Sequence, residues 1–289
     1  MSTLYVCDLD GTLLTPKAQL SPRTVTILNR LLDRGLLFTV ATARTPATAN
    51  GILAPLHLRL PAVFLTGALV YDLRRMQTMK TVSFPPDTAR CVCEAFQILR
   101  KEALLYTFCD NQLIVYYREL TGSFEQKFVK ERMDQPYKKF VQTQDYVRST
   151  ENGALMMALL CLDDERDARE WYRALSVIPG VSCYLYPNEY HQGFTVEAFP
   201  SGCGKGCQIE TLKAYAGASR TVAFGDNFND ISLFEACDES CAVENAVGFV
   251  KERATRVIGS NCEDGVALWL EQHAEISEEP LKIPISQSP

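Results

Sequence analysis

The chain has 289 residues, of which 47% are hydrophobic and 22% are charged, and its formal net charge at pH 7 is −6. This composition excludes a disordered chain, which combines low hydrophobicity with high net charge, and it excludes collagen-like and coiled-coil proteins. The acidic balance argues against non-specific binding to nucleic acid or to an anionic membrane. The length favours two structural units, because single cores rarely grow beyond about 250–300 residues.

The sequence carries no pattern of export or of membrane insertion. No apolar run approaches the roughly 18 residues of a membrane-spanning helix, and the N-terminus has no signal-peptide pattern, so we expect a cytoplasmic protein. The 11 cysteines are an odd number and are expected to be free thiols. Cys203 and Cys207 are spaced as C-x₃-C but lack the further ligands of a zinc site.

Short apolar runs alternate with helical patterns over the first 65 residues. Strands are predicted at 4–7, 36–41 and 62–65. A helix begins at Ser21-Pro22, with an N-cap and a proline in its first turn, and a second helix covers 47–56. Strands that alternate with helices over short links predict a parallel, doubly wound sheet.

The pattern changes near residue 80 and returns to alternation near residue 200. The middle segment combines helices with strands joined by hairpin signals, which is typical of a small α+β layer. Its predicted strands are 104–109, 113–117, 155–161, 181–186 and 194–198, and its predicted helices are 86–100, 124–131 and 165–177. After it come strands 221–224, 240–243 and 256–258 and helices 206–214, 230–235 and 265–271. We therefore expect one α/β domain (1–82 and 200–272), an inserted α+β domain (83–199) and a flexible tail (273–289).

Two acidic residues follow the first predicted strand, in the stretch Asp8-Leu9-Asp10-Gly11-Thr12. Carboxylates placed here are costly unless a cation compensates them. A divalent cation would also let one carboxylate attack phosphorus while the next acid protonates a leaving oxygen. Gly11 permits a sharp reversal of the chain, and the Thr12 hydroxyl could tie the turn. The alternative is an ordinary solvated turn, because Asp and Gly are common there.

Three further polar stretches lie where strands are predicted to end, which is where open α/β sheets bind ligands. They are Ala41-Thr42-Ala43-Arg44, Gly202-Cys203-Gly204-Lys205-Gly206 and Gly225-Asp226-Asn227-Phe228-Asn229-Asp230. A hydroxyl with free backbone N–H groups can bind an anion, an ammonium suits phosphate, and carboxylates suit Mg²⁺. The alternatives are a helix N-cap at Thr42, a flexible surface lysine at 205 and compensation of a helix dipole at Asp230.

Taken together and in this order, the four stretches resemble the haloacid dehalogenase (HAD) superfamily. The size and position of the inserted segment resemble its Cof-type branch with a C2-type cap (class IIB), and the resemblance spans roughly residues 3–272. It implies a Rossmann-like core, Mg²⁺ as cofactor and an aspartyl-phosphate intermediate. The implied activity is hydrolysis of small phosphorylated metabolites, most often sugar phosphates.

The resemblance also assigns parts to individual residues. Asp8 is implied as nucleophile and metal ligand, Asp10 as general acid/base that offers its backbone carbonyl to the metal, and Lys205 as the cation that steadies the nucleophile. Asp226 is the implied acidic metal ligand, with Asp230 as its partner or support. The implied phosphate contacts are Leu9, Asp10, Thr42, Ala43, Lys205 and Asn229. The implied substrate-lining residues are Arg44, Thr66, Gly67 and Asn245.

The resemblance leaves substrate and outcome open. Thr66-Gly67 stands where the family usually has Asn-Gly, which puts specificity in question. Phosphotransfer to an acceptor, as in a mutase, is a second hypothesis, and a non-catalytic phosphometabolite-binding protein is a third. We expect a small phosphorylated metabolite as the partner, no nucleic acid and no membrane, and a monomer or weak homodimer. Specificity is expected to come from the inserted domain, with Tyr184, Tyr186, Tyr190 and His191 as candidates.

Overall fold

The structure is a computed structural model that describes residues 2–99, 102–110, 112–133, 138–151, 153–188 and 193–276. Tyr190 and His191 therefore lie outside the described residues, as do residues 277–289 of the tail predicted at 273–289. The first tail residues continue from the last helix, and Glu275 bonds to the first strand: its carboxylate accepts from Thr3 Oγ1 at 2.7 Å, and its backbone N–H donates to Tyr5 Oη at 2.9 Å.

The described chain alternates strands and helices, which we number in chain order. The strands are β1 (Thr3–Cys7), β2 (Leu37–Val40), β3 (Ala62–Phe64), β4 (Leu69–Asp72), β5 (Gln77–Thr81), β6 (Leu104–Cys109), β7 (Gln112–Tyr117), β8 (Lys138–Gln142), β9 (Ala154–Leu162), β10 (Val181–Asn188), β11 (Gly193–Pro200), β12 (Arg220–Gly225), β13 (Glu239–Val243) and β14 (Arg256–Ile258). The helices are α1 (Pro22–Asp33), α2 (Pro46–Leu53), α3 (Pro86–Ile98), α4 (Ser123–Lys130), α5 (Tyr146–Thr150), α6 (Glu165–Ser176), α7 (Ile209–Ala216), α8 (Ile231–Ala236), α9 (Gly248–Lys251) and α10 (Gly265–His273). Among these helices, none is long and apolar enough to cross a bilayer.

The chain divides into two compact units, residues 1–80 with 204–289, and residues 81–203. The division lies beside the positions 82/83 and 199/200 expected from the sequence. The first unit holds a five-stranded sheet in the order β14-β13-β12-β1-β2, with every neighbouring pair parallel. Strand β3 joins its β2 edge through a parallel bridge between Ala41 and Val63 and pairs with β4 in antiparallel fashion. The predicted α/β class is confirmed.

Helix α1 shows how local sequence sets these elements. The Ser21 side chain accepts the Thr24 backbone N–H at 2.9 Å, and a proline occupies the first helical turn. Apolar residues at helical spacing, Leu28 and Leu31 among them, are buried. Gly35 follows the helix with a φ of 104°, a left-handed conformation that glycine adopts without steric cost.

The second unit is built on a six-stranded sheet in the order β10-β11-β9-β6-β7-β8. Its pairs are antiparallel except β7 with β8, which run parallel. Aromatic side chains from three helices share its buried core, where Phe96 stacks on Trp171 and meets Tyr146 edge to face. This unit has the α+β character expected from the hairpin signals.

Several elements differ from the sequence-based expectation. Strands β4, β5 and β8 were not predicted, and β5 and β8 are largely exposed and polar, so the apolar alternation that marks a strand is missing from them. The helix expected at 206–214 is a 3₁₀ turn at Lys205–Gln208 followed by α7. At Gly206 a side chain would clash with the Ser232 carbonyl, so this turn packs closely against α8.

Candidate active site

Four neighbouring parallel strands deliver polar residues to one edge of the sheet in the first unit. Asp8 follows β1, Thr42 follows β2, Asp226 follows β12 and Asn245 follows β13. Because these strands lie side by side and run in the same direction, the residues after their carboxyl ends gather at a single edge. This geometry brings together side chains that lie more than 200 positions apart in sequence.

The turn after β1 folds back onto the loop after β12. Asp8 is only 4% exposed, and its backbone N–H donates to the Phe224 carbonyl at 2.9 Å. Gly11 has a φ of +81°, and any side chain there would collide with the carboxylate of Asp226. The Thr12 hydroxyl donates to Asp226 Oδ1 at 2.7 Å. The expected reversal at Gly11 and the tie by Thr12 therefore join the two acidic loops.

Lys205 lies at the centre of the buried carboxylates. Its Nζ donates to Asp8 Oδ1 at 2.6 Å and to Asp230 Oδ1 at 2.7 Å, and its side chain is 1% exposed. The other oxygen of Asp230 accepts the backbone N–H groups of Asp226 at 2.9 Å and Asn227 at 3.0 Å. Asp230 thus links the ammonium group to the loop after β12.

Negative charge exceeds positive charge in this cluster. Carboxylate oxygens of Asp8, Asp226 and Asp230 lie within 4.8 Å of one another, with one ammonium group among them. Burial raises the pKa of Asp8 well above its ordinary value, and burial together with Asp230 raises the pKa of Asp226 to about 6. Burial alone would lower the pKa of Lys205, but Asp230 and Asp8 outweigh that effect and raise it, so the lysine stays charged.

Asp10 projects from the same turn but is bound by a different cation. Arg44 Nε donates to Asp10 Oδ2 at 2.7 Å, and Arg44 Nη2 donates to Asp10 Oδ1 at 2.6 Å. The Asp10 side chain is 40% exposed, in contrast to the buried Asp8. Leu9, between them, is fully buried. The turn therefore separates a buried carboxylate from a solvent-accessible one two residues away.

The loops after β2 and β3 lie against each other. Thr42 is buried, its hydroxyl oxygen accepts the Arg44 backbone N–H at 3.2 Å, and Ala43 beside it is half-buried. The Thr66 backbone N–H donates to the Thr42 carbonyl at 3.2 Å, and the φ of Thr66 is +51°, in the left-handed region. The Gly67 carbonyl accepts from Gln208 Nε2 at 3.0 Å. Thr66 and Gly67 are thus held beside the loop that carries Thr42 and Arg44.

The two candidate asparagines differ in what they contact. Asn245 Nδ2 donates to the Gly11 carbonyl at 2.7 Å, and Asn245 Oδ1 accepts the Asn261 backbone N–H at 2.9 Å. The Asn245 amide therefore braces the turn after β1, and its substrate-lining part stays a prediction. Asn229 Oδ1 is buried and has no hydrogen-bond partner among the described residues, so a ligand donor or a cation would satisfy it.

Two contributors were missed by the sequence reasoning. Asn261 Nδ2 donates to the Leu14 carbonyl at 2.8 Å and steadies the same turn from a distant loop. The pairing of Arg44 with Asp10 was also not expected, although both residues were candidates. No local pattern marks either contact, because each joins segments that are brought together only by the order of the strands.

Comparisons with known proteins agree with this arrangement. The chain matches the haloacid dehalogenase-like hydrolase family over residues 5–270. It is 28% identical to pyridoxal phosphate phosphatase YbhA of Escherichia coli, covering 92% of this chain and 96% of that protein. It is 25% identical to 5-amino-6-(5-phospho-D-ribitylamino)uracil phosphatase YwtE of Bacillus subtilis, with the same two coverages.

Solved structures share the fold. TM0651 of Thermotoga maritima superposes with a TM-score of 0.78 at 22% identity, covering 96% of this chain and all of that one. The HAD subclass IIB sugar phosphatase BT4131 superposes with a TM-score of 0.73 at 18% identity, covering 94% of this chain and 98% of that one. The family match spans nearly the whole chain, and the expected resemblance is confirmed: the protein is an enzyme of the haloacid dehalogenase-like hydrolase family.

Proposed function

We propose that the protein is a Mg²⁺-dependent phosphatase that hydrolyses small phosphate monoesters through a phosphoenzyme on Asp8. The observation that carries this proposal is the buried Lys205 ammonium group, 2.6 Å from Asp8 Oδ1, within a cluster of three carboxylates. Phosphoryl transfer depends on charge neutralisation around a positioned nucleophile, and this cluster supports both requirements.

The donor set fits a hard divalent cation. Mg²⁺ prefers oxygen ligands and usually takes one or two carboxylates, with water and substrate oxygens completing its shell. Asp8 and Asp226 would hold it, together with the backbone carbonyl of Asp10. Both Asp230 oxygens already accept from the chain's own donors, which favours a supporting part for that residue. The excess of buried negative charge and the unpartnered Asn229 Oδ1 support the assignment.

When bound, Mg²⁺ would neutralise phosphate charge, so that a carboxylate can approach phosphorus. The Asp8 carboxylate attacks phosphorus in line, and the bond to the leaving oxygen breaks as Asp10 donates a proton to that oxygen. Asp10 then takes a proton from water, which attacks the phosphoenzyme and releases phosphate and free Asp8. Lys205 holds Asp8 in orientation and offsets charge on the transferring group. Thr42, the Ala43 amide and Asn229 are proposed to bind the remaining phosphate oxygens.

The names of the relatives indicate a class of substrate for this protein but not an individual substrate. The protein named above from Escherichia coli acts on pyridoxal phosphate, and the one from Bacillus subtilis acts on a phosphorylated ribitylaminouracil, as their names state. We therefore propose small phosphorylated metabolites as substrates. The expectation of sugar phosphates in particular stays a prediction.

Release of inorganic phosphate tests the proposal directly. The purified protein should hydrolyse p-nitrophenyl phosphate in Mg²⁺ and lose this activity in EDTA. A panel of sugar phosphates and pyridoxal phosphate would then rank the substrates. Asp8→Asn should abolish turnover, while Asp87→Asn, at an exposed position in the second unit, should not. Turnover by Asp8→Asn would refute the nucleophile assignment, and transfer to an added acceptor without free phosphate would identify a phosphotransferase instead.

A further inference from the structure

A cluster of arginine side chains lies at the end of the strands in the first unit that is opposite the candidate active site. It surrounds a recess of about 160 Å³ lined by Arg59, Asp72, Arg74, Arg75 and Tyr215, which we call the arginine recess. Because β4 runs antiparallel to β3, with Ala62 opposite Tyr71, the residues after β4 lie beside the start of β3. Thr66 and Gly67 follow the end of β3, so the arginine recess is remote from the catalytic edge.

Asp72 builds the turn that presents two of the arginines. Its carboxylate is buried, and Oδ1 accepts the backbone N–H groups of Arg74 at 2.9 Å and Arg75 at 3.0 Å. Its other oxygen lies 3.3 Å from Arg75 Nη1. Asp72 therefore offsets the charge of one arginine, Arg75, while its other oxygen is occupied by the backbone of the turn.

The remaining groups leave a surplus of positive charge. Arg59 has its carboxylate partner Asp33 at 3.7 Å, and that carboxylate also pairs with His57 Nδ1 at 2.9 Å. The Arg74 side chain makes no ion pair within the part of the chain that the structure describes. This surplus is notable on a chain whose formal net charge is −6.

The recess also contains a hydroxyl group suited to an anion. Tyr215 Oη accepts from Arg75 Nη1 at 3.3 Å, which leaves the hydroxyl proton available to a ligand. A guanidinium group presents a planar fork of N–H donors that matches the oxygens of phosphate. The recess is open to solvent, since Arg74 and Arg75 are exposed and Arg59 is half-buried, so an oxyanion can enter it without a rearrangement of the chain.

We propose that the arginine recess is a second anion site, which binds a phosphate-type oxyanion through Arg59, Arg74, Arg75 and the Tyr215 hydroxyl. The oxyanion is either free inorganic phosphate or the phosphate group of a small ester. The site does not depend on the proposed chemistry at Asp8, and it would stand if that chemistry were refuted.

Crystals of the full chain soaked in selenate locate the site, because anomalous scattering from selenium identifies the bound anion. We expect a peak within hydrogen-bond distance of Arg74 and Arg75 in the wild type. The peak should persist in the Arg23→Gln/Arg90→Gln control, which removes two exposed arginines elsewhere, and should disappear in Arg74→Gln/Arg75→Gln. Wild-type crystals with selenate only at the Asp8 cluster, or with none, would overturn the proposal.

Titrations in EDTA measure affinity and identify the kind of anion. Inorganic phosphate and glycerol 3-phosphate are compared by calorimetry in the wild type and in both double variants. We expect at least a ten-fold loss of phosphate affinity at one site in Arg74→Gln/Arg75→Gln and no loss in the control. Tighter binding of phosphate indicates the free ion as ligand, and tighter binding of glycerol 3-phosphate indicates an ester. Arg75→Lys keeps the charge without the fork and should give an intermediate loss; equal isotherms in all variants would exclude the site.

Discussion

Arg44 binds Asp10 through two parallel hydrogen bonds, with Nε 2.7 Å from Oδ2 and Nη2 2.6 Å from Oδ1. A fork of this kind fixes both the position and the plane of a carboxylate. Asp10 is the residue that we propose to exchange protons with the leaving oxygen and with water. Arg44 therefore fixes where the proposed acid/base lies, and one of the two hydrogen bonds has to break when an Asp10 oxygen carries the exchanged proton.

Removal of this fork should lower kcat more than it weakens substrate binding. We expect Arg44→Met to reduce kcat by about 10–100-fold, because general acid–base catalysis contributes about 10²–10⁴-fold and part of it is lost when Asp10 is no longer held in place. Arg44→Lys keeps the positive charge but loses the fork, so its kcat should lie between that of the wild type and that of Arg44→Met. Steady-state kinetics with p-nitrophenyl phosphate separate kcat from KM. Arg34→Met, at the exposed end of α1, serves as the control, and an unchanged kcat in Arg44→Met would contradict the orienting part.

Asp8 and Lys205 should affect stability in opposite directions. In the metal-free protein Asp8 belongs to a cluster of three carboxylates with one ammonium group, so Asp8→Asn should raise the free energy of unfolding while abolishing turnover. Lys205→Met leaves these carboxylates without their cation and should destabilise the protein by about 3–5 kcal/mol. Urea unfolding in EDTA at pH 8 measures both. Destabilisation by Asp8→Asn would show that repulsion among the three carboxylates does not lower the stability of the metal-free protein.

Mg²⁺ should stabilise the folded protein. A ligand that binds only the folded state at a hundred times its Kd adds about 2.7 kcal/mol, so the unfolding temperature should rise on replacing EDTA with excess Mg²⁺. Asp226→Asn removes a proposed ligand and should lose most of this rise. Asp87→Asn, exposed in the first turn of α3, should keep it. An equal rise in the wild type and in Asp226→Asn would place the metal elsewhere.

Glu125 should make the stability of the protein fall as pH rises. Burial raises the pKa of Glu125 from 4.5 to about 7, although the Thr121 backbone N–H donates to its carboxylate. The folded state therefore binds this proton more tightly than the unfolded state, so its stabilising effect is complete below pH 4.5 and is lost as pH rises through about 7.

The matching neutral side chain isolates this effect. Relative to Glu125→Gln, the wild type should lose about 1–2 kcal/mol of unfolding free energy between pH 4.5 and pH 8, with allowance for solvent screening. Urea titrations at the two pH values measure the difference. Glu170 is exposed on α6, so the difference in unfolding free energy between the wild type and Glu170→Gln should be the same at both pH values. A pH-independent difference for Glu125→Gln would mean that the Glu125 carboxyl titrates normally.

The parallel core could be predicted because its strands are continuous apolar runs. Strand β1 is buried along its whole length, as is β13, and such runs between helical patterns have one common solution, a sheet covered on both faces. That topology in turn explains why Asp8 and Asp226 meet. Strand β8 could not be predicted in the same way, because Lys-Lys-Phe-Val-Gln offers no alternating apolar face and forms a strand only by pairing with β7.

Side-chain partners within the site were less predictable than the residues themselves. The expectation that Asn245 lines the substrate stays a prediction, but the hydrogen bonds of its amide to the backbone of Gly11 and Asn261 were not foreseen. Thr66 adopts a left-handed backbone conformation, which β-branched residues rarely do, and sequence patterns contain no signal for it. Such contacts depend on the distances between loops from separate strands, and these are set by the tertiary packing.

The lack of a side chain at Gly11 has a consequence for the proposed metal ligand Asp226. A Cβ atom at position 11 would lie far inside van der Waals contact with Asp226 Oδ2, and the φ of +81° would strain any other residue there. Either the loop after β1 or the Asp226 carboxylate would have to move to make room. A methyl group at this one position would therefore displace the loop of the proposed nucleophile from the proposed metal ligand without changing any charged group.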